Sequence, residues 1–361
     1  HNDTKLNHLP YMPFPSAWPT YLPKDMVADW FEAYAWAMEI NFWTSTEFVR
    51  GAYDDAAGRW NAVLRRTDGE ERTLHPRHLV FANGLVGAVH IPDLPGLKDF
   101  KGDAMHTTAF TNGANWRGRK ALVIGTGTSG HDVAQDLHAN GCDTTIVQRG
   151  PTMVLSIDPS AKLTYGIYNG VPIDDGDLLS ITNTKPMVKK NLQTITKRML
   201  EYDKKTIEGL IARGFKFTDG EDGAGHQWMV RTRYGGYYLD GGCSQLIIDG
   251  AIGLLQYDQI ERFVEGGALL KDGSLKAADL IVLATGFLPQ EVVVGQLLGE
   301  AVAKKVGPVW GFGADGEMSN MWKRTAQRGL WFAGGGFNNC RTYSRYLAMQ
   351  IKAIEEGLLA P

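Results

Sequence analysis

The chain has 361 residues, a formal net charge of -3 and 21% charged residues, a size that suits two domains rather than one core. That charge supplies no basic field for nucleic acid, and the sequence shows neither an apolar run of the ~18 residues a membrane span needs nor a charged-then-apolar leader. Cys142, Cys243 and Cys340 stand far apart without a Cys-x-x-Cys pair, which excludes a dithiol motif, offers no metal set and makes a reduced, cytoplasmic protein the expectation.

The opening "HNDTKLNHLPYMPFP" carries neither a methionine nor a first strand. Either the N-terminus has been removed or the chain is a piece of a longer polypeptide. Residues 1–25 hold Pro10, Pro13, Pro15, Pro19 and Pro23 among aromatics, a composition that predicts an extended surface segment. A helix is predicted next, with Asp25 as N-cap and Met26, Trp30, Ala33, Tyr34 and Ala37 at helical spacing. Alternating residues around Asp68-Gly69 predict a hairpin that feeds the buried strand "HLVFANG". The pattern returns late, around Asp272-Gly273 and the strand "LIVLATGF", which suggests duplicated architecture. Between them "KALVIGTGTSGHDVAQDLHANGCDTTIVQRG" reads as strand, glycine loop, amphipathic helix closed by Asn140-Gly141, and strand. Residues 155–240 show helical pieces without a motif, expected to cover an active site or a subunit contact. The tail reads as a strand, a glycine loop, and a helix with apolar spacing at Tyr346, Leu347, Met349, Ile351 and Ile354.

In Gly125-Thr126-Gly127-Thr128-Ser129-Gly130 the first glycine permits a tight turn, the second lets backbone approach a pyrophosphate, and the third lets helix pack on strand. The helix N-terminus then faces the phosphates. The strand that follows ends in Gln148-Arg149-Gly150, where an acid would take the ribose hydroxyls of NAD or FAD. Arginine suits a 2'-phosphate by charge and bidentate geometry, so NADPH is favoured, the alternative being a solvated surface arginine.

These residues add up to a family. "FKGDAMHTTAF", Phe100 to Phe110, matches the FxGxxxHxxx(F/Y) motif of flavin-containing monooxygenases, "GTGTSG" has that family's loop form, and "LATGF", Leu283 to Phe287, resembles its late ATG motif. The opening "HLPYMPFPSAWPTYLPKDMVADWFEAYA" and "VQRGPT" resemble its YUCCA-type branch and longer bacterial relatives most closely.

The resemblance implies an α/β protein with two doubly wound dinucleotide-binding domains, the NADPH domain inserted in the FAD domain. Residues 1–112 and 271–361 would belong to the FAD domain and residues 113–270 to the NADPH domain, with a helical insert at 155–240. It implies FAD and NADPH as cofactors, with one oxygen of O2 passing by a flavin C4a-peroxide to a small organic substrate. That reaction would be nitrogen or sulfur oxidation, or oxidative decarboxylation of a 2-oxo acid. Asn83-Gly84 and Ala284-Thr285-Gly286 would lie near the domain crossings, while Gly334, Gly335, Gly336 and Asn338 would approach the flavin. His106 would position the nicotinamide domain, or else be a satisfied histidine in a turn. Tyr11 to Trp18 would shield the site from water or pack in the core. The family's earlier FAD loop would precede this chain, so the missing N-terminal part of the polypeptide is an expected partner, and a homodimer is a reasonable expectation. Two rivals follow: a Baeyer-Villiger enzyme, disfavoured because Phe110-Thr111 stands where that motif has a tryptophan, and a non-catalytic NADP-binding remnant.

Overall fold

The computed structural model describes residues 3–85 and 87–360. In chain order, helix α1 (Lys24–Ala37) precedes an antiparallel meander of β1 (Thr46–Asp54), β2 (Arg59–Arg66) and β3 (Glu71–Leu74), then β4 (Leu79–Phe81). Next come β5 (Asp103–His106), β6 (Lys120–Ile124), α2 (Thr128–Ala139), β7 (Asp143–Gln148) and β8 (Met153–Ser156). The stretch that carried no motif folds as α3 (Ile173–Ile181), α4 (Lys185–Tyr202), α5 (Lys204–Ala212) and α6 (Gly225–Arg233). It is followed by β9 (Tyr237–Asp240), α7 (Cys243–Ile248) and β10 (Gly253–Gln256). A second meander, β11 (Ile260–Val264), β12 (Gly267–Leu270) and β13 (Leu275–Ala277), leads into β14 (Leu280–Leu283). Helices α8 (Gln290–Leu298) and α9 (Glu300–Val306), strand β15 (Leu330–Phe332) and helix α10 (Phe337–Glu355) end the order.

The chain divides into two compact units. Unit 1 takes His1–Ala88, Ile167–Asn183 and Leu288–Pro361; unit 2 takes Val89–Gly166 and Thr184–Phe287.

Unit 2 is built on a parallel sheet of order β10-β7-β6-β14-β5. Its inner strands are apolar without alternation because both faces are covered. Ala121, Val123, Ile146 and Val282 meet Val133, Ala134 and Leu137 of α2 on one face. Leu122, Ile124, Val147, Ile281 and Leu283 meet Phe100, Phe263 and Ala268 on the other. The sheet takes in β5 and β14, which lie outside the expected 113–270. Strand β5 reads "DAMH", too short and mixed to announce itself, and is recruited by register, Leu283 opposite His106.

Unit 1 pairs β4 with β15 in parallel, Phe81 opposite Phe332. Its core gathers Trp60, Phe81, Val294, Leu298, Trp331, Phe332 and Leu347. Residues 167–183, expected in the NADPH domain, fall in this unit because Asp177 is tied to α10.

Three local expectations shift. Helix α1 starts at Lys24, so Asp25 sits in the first turn rather than at the cap, where its charge still favours the helix N-terminus. The opening segment is not wholly superficial, since Asp3, Thr4, Asn7, His8 and Phe14 are buried. In α10, Leu347 is buried whereas Tyr346 and Met349 face outward.

Candidate nucleotide-binding site

The glycine loop of unit 2 runs from the end of β6 into α2, and two of its three glycines have a steric reason. Gly125 has φ +122°, and a Cβ there would lie 2.4 Å from Ala284 O, so β14 and the loop approach as closely as backbone allows. A Cβ on Gly130 would fall 2.0 Å from Gly125 O, which closes the helix onto the turn. Gly127 is different: its φ is -77°, open to any residue, and a Cβ would find Tyr237 O at 4.0 Å as its nearest neighbour. Neither torsion nor a protein neighbour accounts for the glycine, which stands as the N-cap of α2. The N–H groups of Thr128, Ser129 and Gly130 open α2 without intrahelical acceptors, a ready anion site.

Other loop side chains hold the frame. Thr126 Oγ1 lies 2.6 Å from Thr152 Oγ1 in a buried pair, and Thr128 Oγ1 donates to Tyr237 O at 3.4 Å. Ser129 is exposed at the start of α2. His131 is buried beneath the loop, with Nδ1 3.1 Å from Gly127 O and its ring stacked on Tyr238 at 4.0 Å. Burial pushes its pKa down to about 4, and burial does the same to His226.

At the end of β7 the two expected contacts part ways. Gln148 is buried, receiving Lys216 N at 2.7 Å and donating to Lys216 O at 2.9 Å. Its side chain serves as a structural clasp on the 215–217 segment. Arg149, one residue on, is exposed and makes no ion pair among the described residues.

Ala284 N donates to Ile124 O at 2.9 Å, which seats the Ala284-Thr285-Gly286 turn beside the loop. Thr285 Oγ1 donates to His90 O, and His90 N donates to Gly286 O at 3.0 Å. His106 Nδ1 accepts from Thr108 N at 3.3 Å, so Nε2 carries the proton and donates to Gly286 O at 3.0 Å. Both ring nitrogens are thereby engaged. The histidine holds the turn after β14 rather than offering a free acid or base.

In unit 1 the expected residues also come together. Gly334 packs so closely on Gly84 that a Cβ would sit 3.1 Å from Gly84 O. Gln290 fixes the other side, donating to Gly84 O at 2.8 Å and accepting from Asn83 Nδ2 at 3.3 Å. Gly335 has φ +113°, Gly336 N donates to Asn339 Oδ1 at 2.9 Å, and Asn338 lies in the first turn of α10. Gly84 has open space where a Cβ would stand.

Sequence reading missed the anchor of this unit. Arg341 on α10 is 2% exposed and grips Asp177 through Nε–Oδ2 at 2.8 Å and NH2–Oδ1 at 2.7 Å. It also donates to Leu6 O at 2.8 Å, while Tyr168 OH donates to Asp177 at 2.8 Å. Burial alone would raise the Asp177 carboxyl, but the Arg341 and Tyr168 hydrogen bonds reverse this and hold it below the ordinary range. Partners 164 positions apart leave no local signal. The aromatic opening packs nearby: Phe14 lies 4.4 Å from Trp30 and 6.4 Å from Phe337, whereas Tyr11 is exposed.

A parallel sheet whose central strand runs through Gly-x-Gly-x-x-Gly into a helix defines an α/β dinucleotide-binding protein. Residues 5–293 match the family described as flavin-binding monooxygenase-like, and the chain belongs to that family. It is 36% identical over 167 residues to indole-3-pyruvate monooxygenase YUCCA1 of Oryza sativa subsp. japonica, covering 46% of this chain and 40% of that one. With the probable indole-3-pyruvate monooxygenase YUCCA4 of Arabidopsis thaliana it shares 28% over 279 residues, 77% of this chain and 62% of the relative. The chain therefore spans less than two thirds of the length of these curated relatives. Its fold is similar to that of cyclohexanone monooxygenase in the loose conformation, with a TM-score of 0.67 at 17% identity over 99% of this chain and 78% of that chain. No helix among the described residues is long and apolar enough to cross a membrane.

Proposed function

We propose that this chain forms part of an FAD- and NADPH-dependent monooxygenase, with NADPH on the glycine loop of unit 2 and FAD against the glycines of unit 1. The observation that carries the NADPH half is Gly127: no backbone torsion and no protein neighbour requires a glycine there, whereas a pyrophosphate against the α2 N-terminus does. Exposed Arg149, next to the end of β7, supplies the charge for a 2'-phosphate. For the FAD half the support is weaker in kind: Gly84 has open space beside it, though its φ of +88° already favours glycine, and Gly334 seats closely against it. Bound FAD, reduced by NADPH, supplies the oxygen activation that passes one atom of O2 to a small organic substrate. The chain's own residues bind and orient: α2 offers N–H donors, Arg149 selects the cofactor, and His106 holds Gly286 in place.

The indole-3-pyruvate relatives favour oxidative decarboxylation of a 2-oxo acid over nitrogen or sulfur oxidation. Phe110-Thr111 remains the mark against a Baeyer-Villiger reaction. A cytoplasmic location, in keeping with three free cysteines, and a homodimer complete the proposal.

The test is the visible spectrum of the purified chain with added FAD, before and after anaerobic NADPH. Retained flavin that bleaches with NADPH is the expected result. Flavin that is not retained would overturn the claim that this chain holds FAD by itself.

A further inference from the structure

We propose that Trp322 is a positioning residue that fixes the turn Gly334–Gly336, and through it one wall of the flavin site; the flavin clause rests on the function proposed above. Trp322 has φ +62°, a left-handed conformation that side chains other than glycine's avoid because Cβ crowds the carbonyl. A bulky residue persists there only when its surroundings over-determine it. Three bonds do so. Trp322 N donates to Phe332 O at 2.9 Å, Trp322 Nε1 donates to Gly334 O at 2.9 Å, and Trp322 O accepts from Gln350 Nε2 at 3.1 Å.

The spacing explains the strain. Phe332 closes β15 and Gly334 lies two residues on, so their carbonyls leave an extended chain on the same side. One residue meets both, the first with its main chain and the second with its side chain, when its backbone turns left-handed. Met321 pairs with Phe332 just before this turn, and the indole lies nearly parallel to Tyr343 at 6.2 Å. The residue is 8% exposed, so its two N–H donors have little access to water as an alternative partner.

Gly334 is thereby held from two directions. Its carbonyl is bound by the indole, and its α-carbon is pressed to Gly84, where a Cβ would stand 3.0 Å from Leu85 Cδ2 and 3.1 Å from Gly84 C. The two glycine segments that the proposed function sets against FAD meet at this contact. Moving the indole N–H frees the turn while the apolar core around it stays filled.

The experiment compares Trp322→Phe, which keeps a ring and loses the donor, with Trp322→His, which keeps a ring N–H. Three quantities are read on the full chain: hydrogen exchange of the 333–337 segment without ligand, the FAD dissociation constant, and the NADPH dissociation constant. W322F is expected to exchange at least 10-fold faster in that segment and to weaken FAD at least 10-fold. W322H recovers part of both, and NADPH affinity in unit 2 stays unchanged in each. Unchanged exchange in W322F overturns the proposal, as does equal loosening by both variants, which would make the role packing alone. Failure of W322F to fold would place the bond in folding and overturn it too. A wild-type chain that retains no FAD contradicts the flavin reading, and the exchange comparison still decides the role of Trp322.

Discussion

The two units share one local order, a three-stranded meander followed by a short strand and a glycine, and differ in what that strand joins. In unit 2, β14 enters between β6 and β5 in a five-stranded parallel sheet whose faces are both covered. In unit 1, β4 meets β15 in a two-stranded sheet among the described residues. Among the described residues, side chains join the segments of unit 1 in addition to this pairing. The Arg341–Asp177 pair ties α10 to α3 and to the opening segment, Trp322 pins the glycine turn, and aromatic rings fill the space beside α10. The glycine loop of unit 2, set by backbone approach, and the glycine turn of unit 1, held by side chains, should therefore fail in different ways.

The largest effect is expected in unit 1. Asp177→Ala leaves the buried Arg341 charge uncompensated, which costs about 3–5 kcal/mol. Calorimetry should show a lowered transition while NADPH affinity in unit 2 persists; loss of both together would mean that the units do not differ as described. Unit 2 has its own weakness in acid. His131 and His226 are neutral when folded, with pKa values near 4 against an ordinary 6.5. Above pH 6.5 their stabilisation is fully present. As pH falls below 6.5 the unfolded chain takes up protons first, so stability drops by about 3 kcal/mol per histidine by pH 4. Urea titrations at pH 7 and pH 5 check this, and His131→Gln should flatten the slope. Within the loop the glycines separate. Gly130→Ala drives a methyl into Gly125 O and should cost about 1–3 kcal/mol. Gly127→Ala enters open space but changes the N-cap of α2, so its unfolding should shift by no more than the ~1 kcal/mol of a cap change while NADPH binding weakens. A G127A chain that binds NADPH as the native chain does would remove the argument that this glycine serves a ligand.

How much of this was legible in the sequence depends on whether the signal was local. Strand β6, the loop, α2 and β7 could be read because apolar runs, glycines and Asn140-Gly141 are contiguous. The hairpins β2–β3 and β12–β13 were legible from Asp68-Gly69 and Asp272-Gly273 for the same reason, whereas β1 and β11, which complete the meanders, were not read. Context mattered more than the string itself: Gly311-Phe312-Gly313-Ala314-Asp315-Gly316 also spells GxGxxG, yet it folds as a tight turn bridged by Phe312 and Met318 with no helix behind it. Strand β5 was invisible because four mixed residues carry no period, and the Arg341–Asp177 pair because its partners meet only after folding. Gln148 illustrates the limit at the site, since its position at the end of β7 was readable and its bond to Lys216 was not.

The most direct test of the central claim is a calorimetric titration of the flavin-free chain with NADPH and with NADH, repeated on Arg149→Ala. The account predicts that NADPH binds more tightly, and that Arg149→Ala weakens NADPH at least tenfold, about 1.4 kcal/mol, while sparing NADH. Equal weakening of both, or no preference in the native chain, would contradict it.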